Sequence, residues 1–470
     1  MVDGALSPVD ISLVPDEAIG GALSPVDISL VLDEAVGGAL SPVDISLVPD
    51  VLALKPDSNM QYDEANPNPS PNRPLRVFIH TGEVSGDLQG SLLIEGLERE
   101  AARQGLAIEI TAMGGDRMAA AGAKLIGDTV SVSSIGLLEA LPHALAAIKL
   151  NQRAQQHLKT VLPDVVVLID YMGPNVAIGN FIRRQFPQVP IAYYIAPHLW
   201  VWATIPGDTA KILAIADRIL AIFPEEARYY QDKGGRVSWV GHPLLDKFAD
   251  YSPEAAKQEA RQRLGLEQTD RVVTLLPASR RQELTYVLPI MFTAAQQLQT
   301  QIPELKFLVP LARDTFRAPL ETALQDYGLN GQVVAKDEQM LAISAADLAI
   351  SKSGTTNLEI ALMDVPQVVM YRLNRITAWI AEFVLKFSAA YISPVNLVNM
   401  EPIVPEFVQW KANPEAISQV ALNLLNSPDQ RQKMVEGYKT MRQHLGTVGV
   451  CDRAAREILD LATDKAARSV

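Results

Sequence analysis

The polar residues of this sequence that could do chemistry stand directly after apolar runs. Asp170 follows the run Val165–Ile169. A carboxylate at that point is solvated, paired or functional, because burying it alone costs a large free energy. In a cleft it could accept a proton from an attacking hydroxyl group, which makes Asp170 a candidate general base. The alternative is an acid that caps a helix or forms a salt bridge.

A second polar segment, Thr81–Asp87, follows the apolar run Leu75–His80 and leads into a helical pattern. Its glycines could let the backbone approach a ligand, and the start of the helix offers N–H groups to an anion or to hydroxyls. The candidate ligand-binding residues here are Gly82, Ser85 and Gly86. The alternative is an ordinary capped turn, with a serine or an aspartate as the N-cap.

The segment Leu275–Glu283 could bind a diphosphate. It joins an apolar run to a helical pattern through small residues, and it carries Ser279 and Arg280. A guanidinium group pairs well with phosphate oxygens, and the N–H groups of a helix start add to that attraction. The alternative is a solvated pair of arginines.

The segment Ser351–Glu359 repeats this arrangement. Ser353, Gly354 and Thr355 would form a nest of hydroxyl and N–H groups for a phosphate. Glu359 lies one helical turn beyond and could hold the two hydroxyls of a nucleotide sugar. The alternative is an ordinary N-cap followed by an exposed glutamate.

Alternating strands and helices must position these residues. The predicted helices are Leu88–Gln104 and Glu283–Gln301, and the predicted strands are Leu75–His80, Ala107–Met113, Val165–Ile169, Val189–Ile195, Arg271–Leu276, Lys306–Pro310, Asp347–Ser351 and Gln367–Tyr371. This alternation is typical of parallel sheets that helices cover on both faces. It predicts an α/β fold with two Rossmann-like domains facing each other across a cleft, and ligands at the carboxyl ends of the strands.

The first part of the chain has a different texture. The phrase GALSPVDISLV starts at Gly4, Gly21 and Gly38, a period of seventeen residues. Residues 1–70 hold twelve of the 54 acidic residues and one of the 41 basic ones, so they carry −11 of the net charge of −13. We predict a disordered acidic tail over 1–73, with a docking segment for a partner as the alternative. Residues 74–250 and 251–470 are the two predicted domains.

Composition excludes several classes of protein. The chain has 470 residues, 48% of them hydrophobic and 20% charged, which excludes collagen-like and wholly disordered classes. The single cysteine, Cys451, excludes an internal disulfide and a multi-cysteine metal cluster. The six histidines lack zinc-like spacing, so we expect no metal site. We expect no other cofactor either. The 400 residues after the tail are nearly neutral, which does not favour nucleic acid. No apolar stretch predicts a membrane-spanning helix.

From about Leu75 onward, eight segments of the chain match the pattern of one protein family. They are GEVSGDLQG (82–90), GGDRMAAAGA (114–123), IGLLEALP (135–142), YIAPHLWVWA (194–203), WVGHPL (239–244), LLPASRRQE (275–283), SGTTNLE (353–359) and YISPVNLV (391–398). Their order and spacing hold over about 390 residues. On these segments the chain resembles the lipid-A-disaccharide synthases, a family of inverting glycosyltransferases with the two-domain GT-B fold.

This resemblance implies transfer of 2,3-diacylglucosamine from UDP-2,3-diacylglucosamine to 2,3-diacylglucosamine 1-phosphate, with release of UDP. It implies that Asp170 is the general base on the acceptor 6-hydroxyl, and that Arg280 and the second domain hold UDP without a metal. It also implies that Asn396 is a further site residue. The apolar stretches Ile135–Ile148 and Trp379–Phe387 would then meet acyl chains at the inner face of the cytoplasmic membrane. Core helices are the alternative.

Two other functions remain open from the sequence. One is another GT-B enzyme on non-acylated sugars, such as a UDP-N-acetylglucosamine 2-epimerase or a peptidoglycan glycosyltransferase. The other is a relative that binds nucleotide sugar or membrane without catalysis. Departures from the family pattern motivate the second: Gly173 stands where the family has a second acid, and Ala203 and Glu401–Pro402 stand where basic residues are frequent. A homodimer is compatible with the sequence.

Overall fold

A computed structural model of the protein describes residues 73–82, 84–129, 140–202, 207–372 and 390–464. The predicted tail up to residue 72, Ala203 and the apolar stretch Trp379–Phe387 lie outside the described residues. Of the stretch Ile135–Ile148, the described part is the helix that begins at Ala140. The described residues form two α/β lobes.

The first lobe has a sheet of seven parallel strands within the described ranges, in the order β3-β2-β1-β4-β5-β6-β7. The strands are β1 (Leu75–His80), β2 (Ile108–Gly114), β3 (Lys124–Asp128), β4 (Val165–Ile169), β5 (Ile191–Tyr194), β6 (Arg218–Ala221) and β7 (Val237–Trp239). The helices are α1 (Val84–Gln104), α2 (Asp116–Ala120), α3 (Ala140–Thr160), α4 (Met172–Gln185), α5 (Leu199–Trp202), α6 (Asp208–Ile215), α7 (Pro224–Asp232) and α8 (Leu244–Lys247).

The second lobe has a sheet of six parallel strands within the described ranges, in the order β10-β9-β8-β11-β12-β13. The strands are β8 (Val272–Leu276), β9 (Lys306–Pro310), β10 (Gly331–Val334), β11 (Leu348–Lys352), β12 (Gln367–Tyr371) and β13 (Glu406–Val408). The helices from here to the end are α9 (Pro253–Arg263), α10 (Glu283–Tyr286), α11 (Leu288–Gln301), α12 (Arg317–Asp326), α13 (Gln339–Ser344), α14 (Thr356–Leu362), α15 (Pro394–Asn399), α16 (Pro414–Asn426), α17 (Pro428–Leu445) and α18 (Val450–Thr463).

Each sheet reverses its strand order at one point. In the first lobe the chain runs outward from β1 to β3 and then returns to β4 on the other side of β1. In the second lobe it runs from β8 to β10 and returns to β11 beside β8. Such a switch point leaves a crevice at the carboxyl ends of the two central strands, where ligands bind in open α/β sheets. Asp170 follows β4 and Arg280 follows β8, so each candidate lies at a switch point.

Burial explains why the apolar runs are strands. The whole of β4 is fully buried, because helices cover both faces of a parallel sheet.

The predicted helix over 283–301 consists of two helices, α10 and α11, because Pro289 has no N–H group to continue the first helix. The predicted bounds are confirmed for four strands, Leu75–His80, Val165–Ile169, Lys306–Pro310 and Gln367–Tyr371.

The last helix, α18, leaves the second lobe and packs on α1 of the first. Asp452 near its start pairs with Arg99 at 2.8 Å and with Arg103 at 2.7 Å. A Cβ atom on Gly96 of α1 would lie 2.7 Å from the carbonyl oxygen of Cys451, so only glycine permits this close approach. The sequence placed the terminal helices with the second domain, whereas this helix joins the two lobes.

Asp246, in the segment between the lobes, holds the start of α18. Its carboxylate accepts N–H bonds from Gly449, Val450 and Cys451 at 2.6, 3.0 and 2.7 Å. The first N–H groups of a helix have no partner within the helix, and a negative charge there is stabilised by the helix dipole. Asp246 therefore caps the helix with which the chain returns to the first lobe.

We expect Asp246→Ala to lower the free energy of unfolding by about 1–2 kcal/mol, the usual cost of losing a capping side chain. Urea denaturation followed by circular dichroism measures the change. The exposed Asp250 provides the control, and Asp250→Ala should unfold like the wild type. Equal stabilities of the two variants would show that the cap contributes nothing.

Candidate active site

The backbone turns sharply where β4 ends at Asp170. Asp170 and Tyr171 have φ angles of 53° and 26°, in the left-handed region that side chains other than glycine rarely adopt. The N–H group of Asp170 donates to the carbonyl of Ile195, and its carbonyl accepts from the Tyr193 hydroxyl and the Asn175 amide, both at 2.8 Å. Surrounding hydrogen bonds therefore hold the corner that carries the candidate base.

His80, at the end of β1, is tied to this corner through Asn175. The Asn175 amide nitrogen donates to the carbonyls of Ile169 and Asp170, so its oxygen must be the acceptor for His80 Nδ1 at 2.6 Å. That assigns the proton to Nδ1 and leaves a lone pair on Nε2. Burial lowers the pKa of His80 to about 4, so the imidazole is neutral near neutral pH.

The glycines of the segment after β1 make room for neighbouring side chains. A Cβ atom on Gly82 would overlap the ring of Tyr171, and one on Gly86 would overlap the Thr81 hydroxyl. The segment after β1 therefore packs closely, at Gly82, against the ring of Tyr171, the residue that follows Asp170. Ser85 is half-buried in the first turn of α1, which begins at Val84 rather than at the predicted Leu88.

Asp87 has a structural task that the sequence did not reveal. It lies inside α1 instead of capping it, and its carboxylate accepts N–H bonds from Gly115 and Met118 at 2.9 and 3.1 Å. These residues lie at the start of α2. Asp87 therefore ties the segment GEVSGD to the segment GGDRM, and the alternative that made it the N-cap of its own helix is wrong.

The loop after β5 is also held by a buried carboxylate. Glu226 accepts N–H bonds from Ala196 at 3.1 Å and from Phe223 at 3.3 Å. Burial raises the pKa of Glu226 to about 8. The ring of Phe223 lies 5.6 Å from that of His198 and 5.5 Å from that of His242. Both histidines pack against the ring of Phe223 in the interior of the first lobe.

In the second lobe, Glu283 shapes the loop that carries Arg280. Its carboxylate accepts from the N–H groups of Ser279 and Arg280 at 2.6 and 3.0 Å, and it pairs with Lys352 at 3.0 Å. Burial alone would raise the pKa of Glu283, but the Lys352 ammonium and the two N–H donors outweigh it and hold the pKa below its usual value. Lys352 ends β11, so this ion pair joins the loops after β8 and β11.

The loop after β11 has its own internal support. The Ser353 hydroxyl donates to the carbonyl of Ile392 at 2.8 Å, and the N–H group of Gly354 donates to the Asn357 side-chain oxygen at 2.8 Å. Thr355 immediately precedes α14, and Glu359 within that helix pairs with Lys247 at 2.6 Å. The candidate phosphate nest and the candidate ribose ligand thus lie on one continuous loop and helix.

Asn396 is almost completely buried and holds the chain around it. Its amide nitrogen donates to the carbonyl of Val404 and to Glu406 at 2.9 and 2.8 Å, and its oxygen accepts the N–H group of Val404 at 2.9 Å. These bonds use the amide to position the loop between α15 and β13. A contact of Asn396 with substrate stays a prediction.

The sequence analysis missed three residues that organise these loops: Asn175, Glu283 and Lys247. Asn175 and Glu283 each lie in the first turn of the helix that follows a candidate residue, where a polar side chain can reach back to the loop. That position was a usable signal. Lys247 gave none, because its partner is 112 residues away in the chain.

Solved structures with this architecture include an epimerase and a glycosyltransferase. A UDP-GlcNAc 2-epimerase from Neisseria meningitidis matches with a TM-score of 0.53 at 12% identity, covering 82% of this chain and 99% of that one. The glycosyltransferase of kitacinnamycin matches with a TM-score of 0.51 at 16% identity, covering 83% and 100%. Such identities establish the fold alone. The two parallel-sheet lobes therefore have the GT-B fold, as predicted.

Sequence comparison then identifies the family. The model described as lipid-A-disaccharide synthetase matches residues 77–458. A lipid-A-disaccharide synthase from Gloeothece citriformis is 53% identical over 386 residues, covering 82% of this chain and all of the relative. One from Prochlorococcus marinus is 50% identical over 391 residues, covering 82% and 99%. The chain belongs to the lipid-A-disaccharide synthase family. The predicted family is confirmed, and it is favoured over an epimerase or a peptidoglycan glycosyltransferase.

The buried His80 should make stability depend on pH. Below its ordinary pKa of 6.5 the unfolded chain binds a proton that the folded protein does not bind until about pH 4. Stability therefore falls as the pH drops through this window, and His80→Gln should lose about 2 kcal/mol less than the wild type between about pH 7 and about pH 5.

Urea denaturation at the two pH values measures this difference. Glutamine keeps a donor for the Asn175 oxygen, so the fold should survive the change. Gln443, which is exposed and does not titrate, provides the control, and Gln443→Asn should follow the wild-type pH dependence. A wild-type pH dependence in His80→Gln would contradict the assignment of a neutral buried imidazole.

Proposed function

We propose that the protein transfers 2,3-diacylglucosamine from UDP-2,3-diacylglucosamine to 2,3-diacylglucosamine 1-phosphate. The acceptor 6-hydroxyl oxygen attacks the anomeric carbon, the bond from that carbon to the diphosphate breaks, and a β-1,6 disaccharide and UDP form. Family membership supports these substrates. The observation that carries the proposal is the placement of Asp170 at one switch point and of Arg280 with the Ser353–Thr355 loop at the other.

Asp170 is proposed to take the proton from the acceptor hydroxyl. General-base catalysis needs a carboxylate in a fixed position, and the left-handed corner with its hydrogen bonds to Tyr193, Asn175 and Ile195 supplies one. His80 supports the same corner through Asn175. The backbone of Asp170 is therefore held by hydrogen bonds before substrate binds, and a preorganised base of this kind favours catalysis.

The second lobe is proposed to hold UDP. The Arg280 guanidinium would offset charge on the departing diphosphate, with Ser279, Ser353, Gly354 and Thr355 around it. Glu359 would accept hydrogen bonds from the ribose hydroxyls. Within the described ranges no group of three or more histidine, cysteine or acidic side chains could hold a metal ion. We propose that Arg280 and the hydroxyl groups around it neutralise the leaving group.

The reaction is proposed to take place at the inner face of the cytoplasmic membrane, with the protein bound peripherally. Both substrates carry two acyl chains, so the enzyme must meet them at a lipid surface. The apolar stretches Ile135–Ile148 and Trp379–Phe387 are suitable in composition. In the part of the chain that the structure describes, no helix combines the length and apolarity that crossing a bilayer requires.

Ser85, Gly82 and Gly86 are proposed to line the part of the cleft where the acceptor binds.

Asp170→Asn should reduce kcat by about 100-fold or more, because asparagine cannot accept the hydroxyl proton. Asparagine tolerates the left-handed backbone at this position better than alanine does, so the fold should be retained. The assay supplies UDP-2,3-diacylglucosamine and 2,3-diacylglucosamine 1-phosphate and measures disaccharide and UDP. The control is Asp116→Asn, an exposed acid of the same lobe. Undiminished turnover by folded Asp170→Asn would remove Asp170 from this role.

Arg280→Met should lower kcat/KM by about 30-fold to 1,000-fold, which corresponds to about 2–4 kcal/mol of transition-state stabilisation. The neighbouring Arg281 is exposed and provides a matched control, because Arg281→Met removes the same charge one residue away. The same assay measures both variants. If both variants lose activity equally, general positive charge rather than the position of Arg280 matters.

The same assay tests the substrate class. Turnover of UDP-N-acetylglucosamine in place of the acylated donor would favour the alternative function, an enzyme that acts on non-acylated sugars.

A further inference from the structure

Lys247 and Glu359 form a largely buried ion pair between the two lobes. Nζ of Lys247 donates to Oε1 of Glu359 at 2.6 Å, and the side chains are 23% and 9% exposed. Lys247 is the last residue of α8, in the segment that leads from the first lobe to the second. Glu359 lies in α14 of the second lobe. This pair therefore fixes one carboxylate of the second lobe to the segment between the lobes.

The residue before Lys247 has a second attachment. Asp246 binds the first N–H groups of α18, the helix that returns to the first lobe. Two consecutive side chains of the connecting segment thus hold two different elements, α18 and α14. A shift of this segment would move the Lys247 ammonium and the Glu359 carboxylate together.

The ion pair leaves part of the carboxylate available. Oε1 of Glu359 accepts from Lys247, and Oε2 has no hydrogen-bond partner among the residues that the structure describes. An ammonium on one oxygen keeps the group charged and limits its rotation, while the second oxygen can accept hydrogen bonds from a diol. Glu359 also lies one helical turn beyond the Ser353–Thr355 loop, which is the loop proposed to hold phosphate.

We propose that Lys247 is a positioning residue that orients Glu359 toward the two hydroxyls of a nucleotide ribose. This inference rests on the proposed function, in which Glu359 binds the ribose of UDP. Lys247 acts through the carboxylate and does not touch the nucleotide. Its removal should therefore weaken ligands that carry the ribose diol and leave ligands without it unaffected.

Isothermal titration calorimetry with UDP on the full chain tests the proposal. Lys247→Met keeps the length of the side chain but removes its charge, and it should weaken UDP binding about tenfold, the effect of losing one charge-assisted hydrogen bond. Lys247→Arg retains a cationic donor and should restore part of the affinity. Lys257→Met is the matched control, because Lys257 forms an ion pair of the same 2.6 Å with Asp347 at the opposite end of β11.

A second titrant, 2′,3′-dideoxyuridine diphosphate, separates orientation of Glu359 from a general effect on the fold. Wild type and Lys247→Met should bind this diphosphate equally, because it lacks both hydroxyls. If Lys247→Met weakens both diphosphates by the same factor, or binds UDP as the wild type does, the proposal is wrong while the proposed function stands. If the folded wild type does not bind UDP at all, the UDP site and this inference fail together.

Discussion

A parallel sheet covered on both faces can present polar chemistry only at the ends of its strands, and the rest of this structure depends on that constraint. The strand β4 is fully buried along its length, so the first position at which the chain can carry an accessible carboxylate is Asp170. The reversal of strand order beside β1 and beside β8 then opens a crevice at that same edge in each lobe. The candidate base in the first lobe and the candidate phosphate site in the second therefore occupy the same kind of position, the carboxyl end of a central strand at a switch point.

Strand ends create a second requirement, because the loops that follow them leave backbone N–H and carbonyl groups without ladder partners. Buried polar side chains meet it here. Asn175 satisfies carbonyls at the Asp170 corner, Glu283 satisfies N–H groups beside Arg280, and Asn357 does so for Gly354. These side chains come from the helix that follows each loop, so the loops are held in shape by local and rigid elements. Preorganisation of this kind suits a site that stabilises developing charge.

The two lobes are joined by more than a linker. The helix α18 packs on α1 through the pairs of Asp452 with Arg99 and Arg103, and Asp246 holds its first turn. Lys247, the next residue, holds Glu359 of the second lobe. A substrate that contacts both lobes would therefore act on a connection that is already structured. The proposed acceptor lobe and the proposed donor lobe are both attached to this connection. Asp246 and Lys247 therefore help to set the position of one lobe relative to the other.

The sequence by itself determined the α/β class, the bounds of strands such as Leu75–His80 and Val165–Ile169, and the edge at which Asp170 and Arg280 lie. Apolar runs and turn residues are local signals, and burial on both faces turns them directly into strands. Tertiary structure alone decided that Asp87 binds the start of α2, that α18 returns to the first lobe, and that Lys247 meets Glu359. Those contacts join residues far apart in the chain, and no local pattern encodes which distant partner a charged side chain will meet once the sheets and helices have packed.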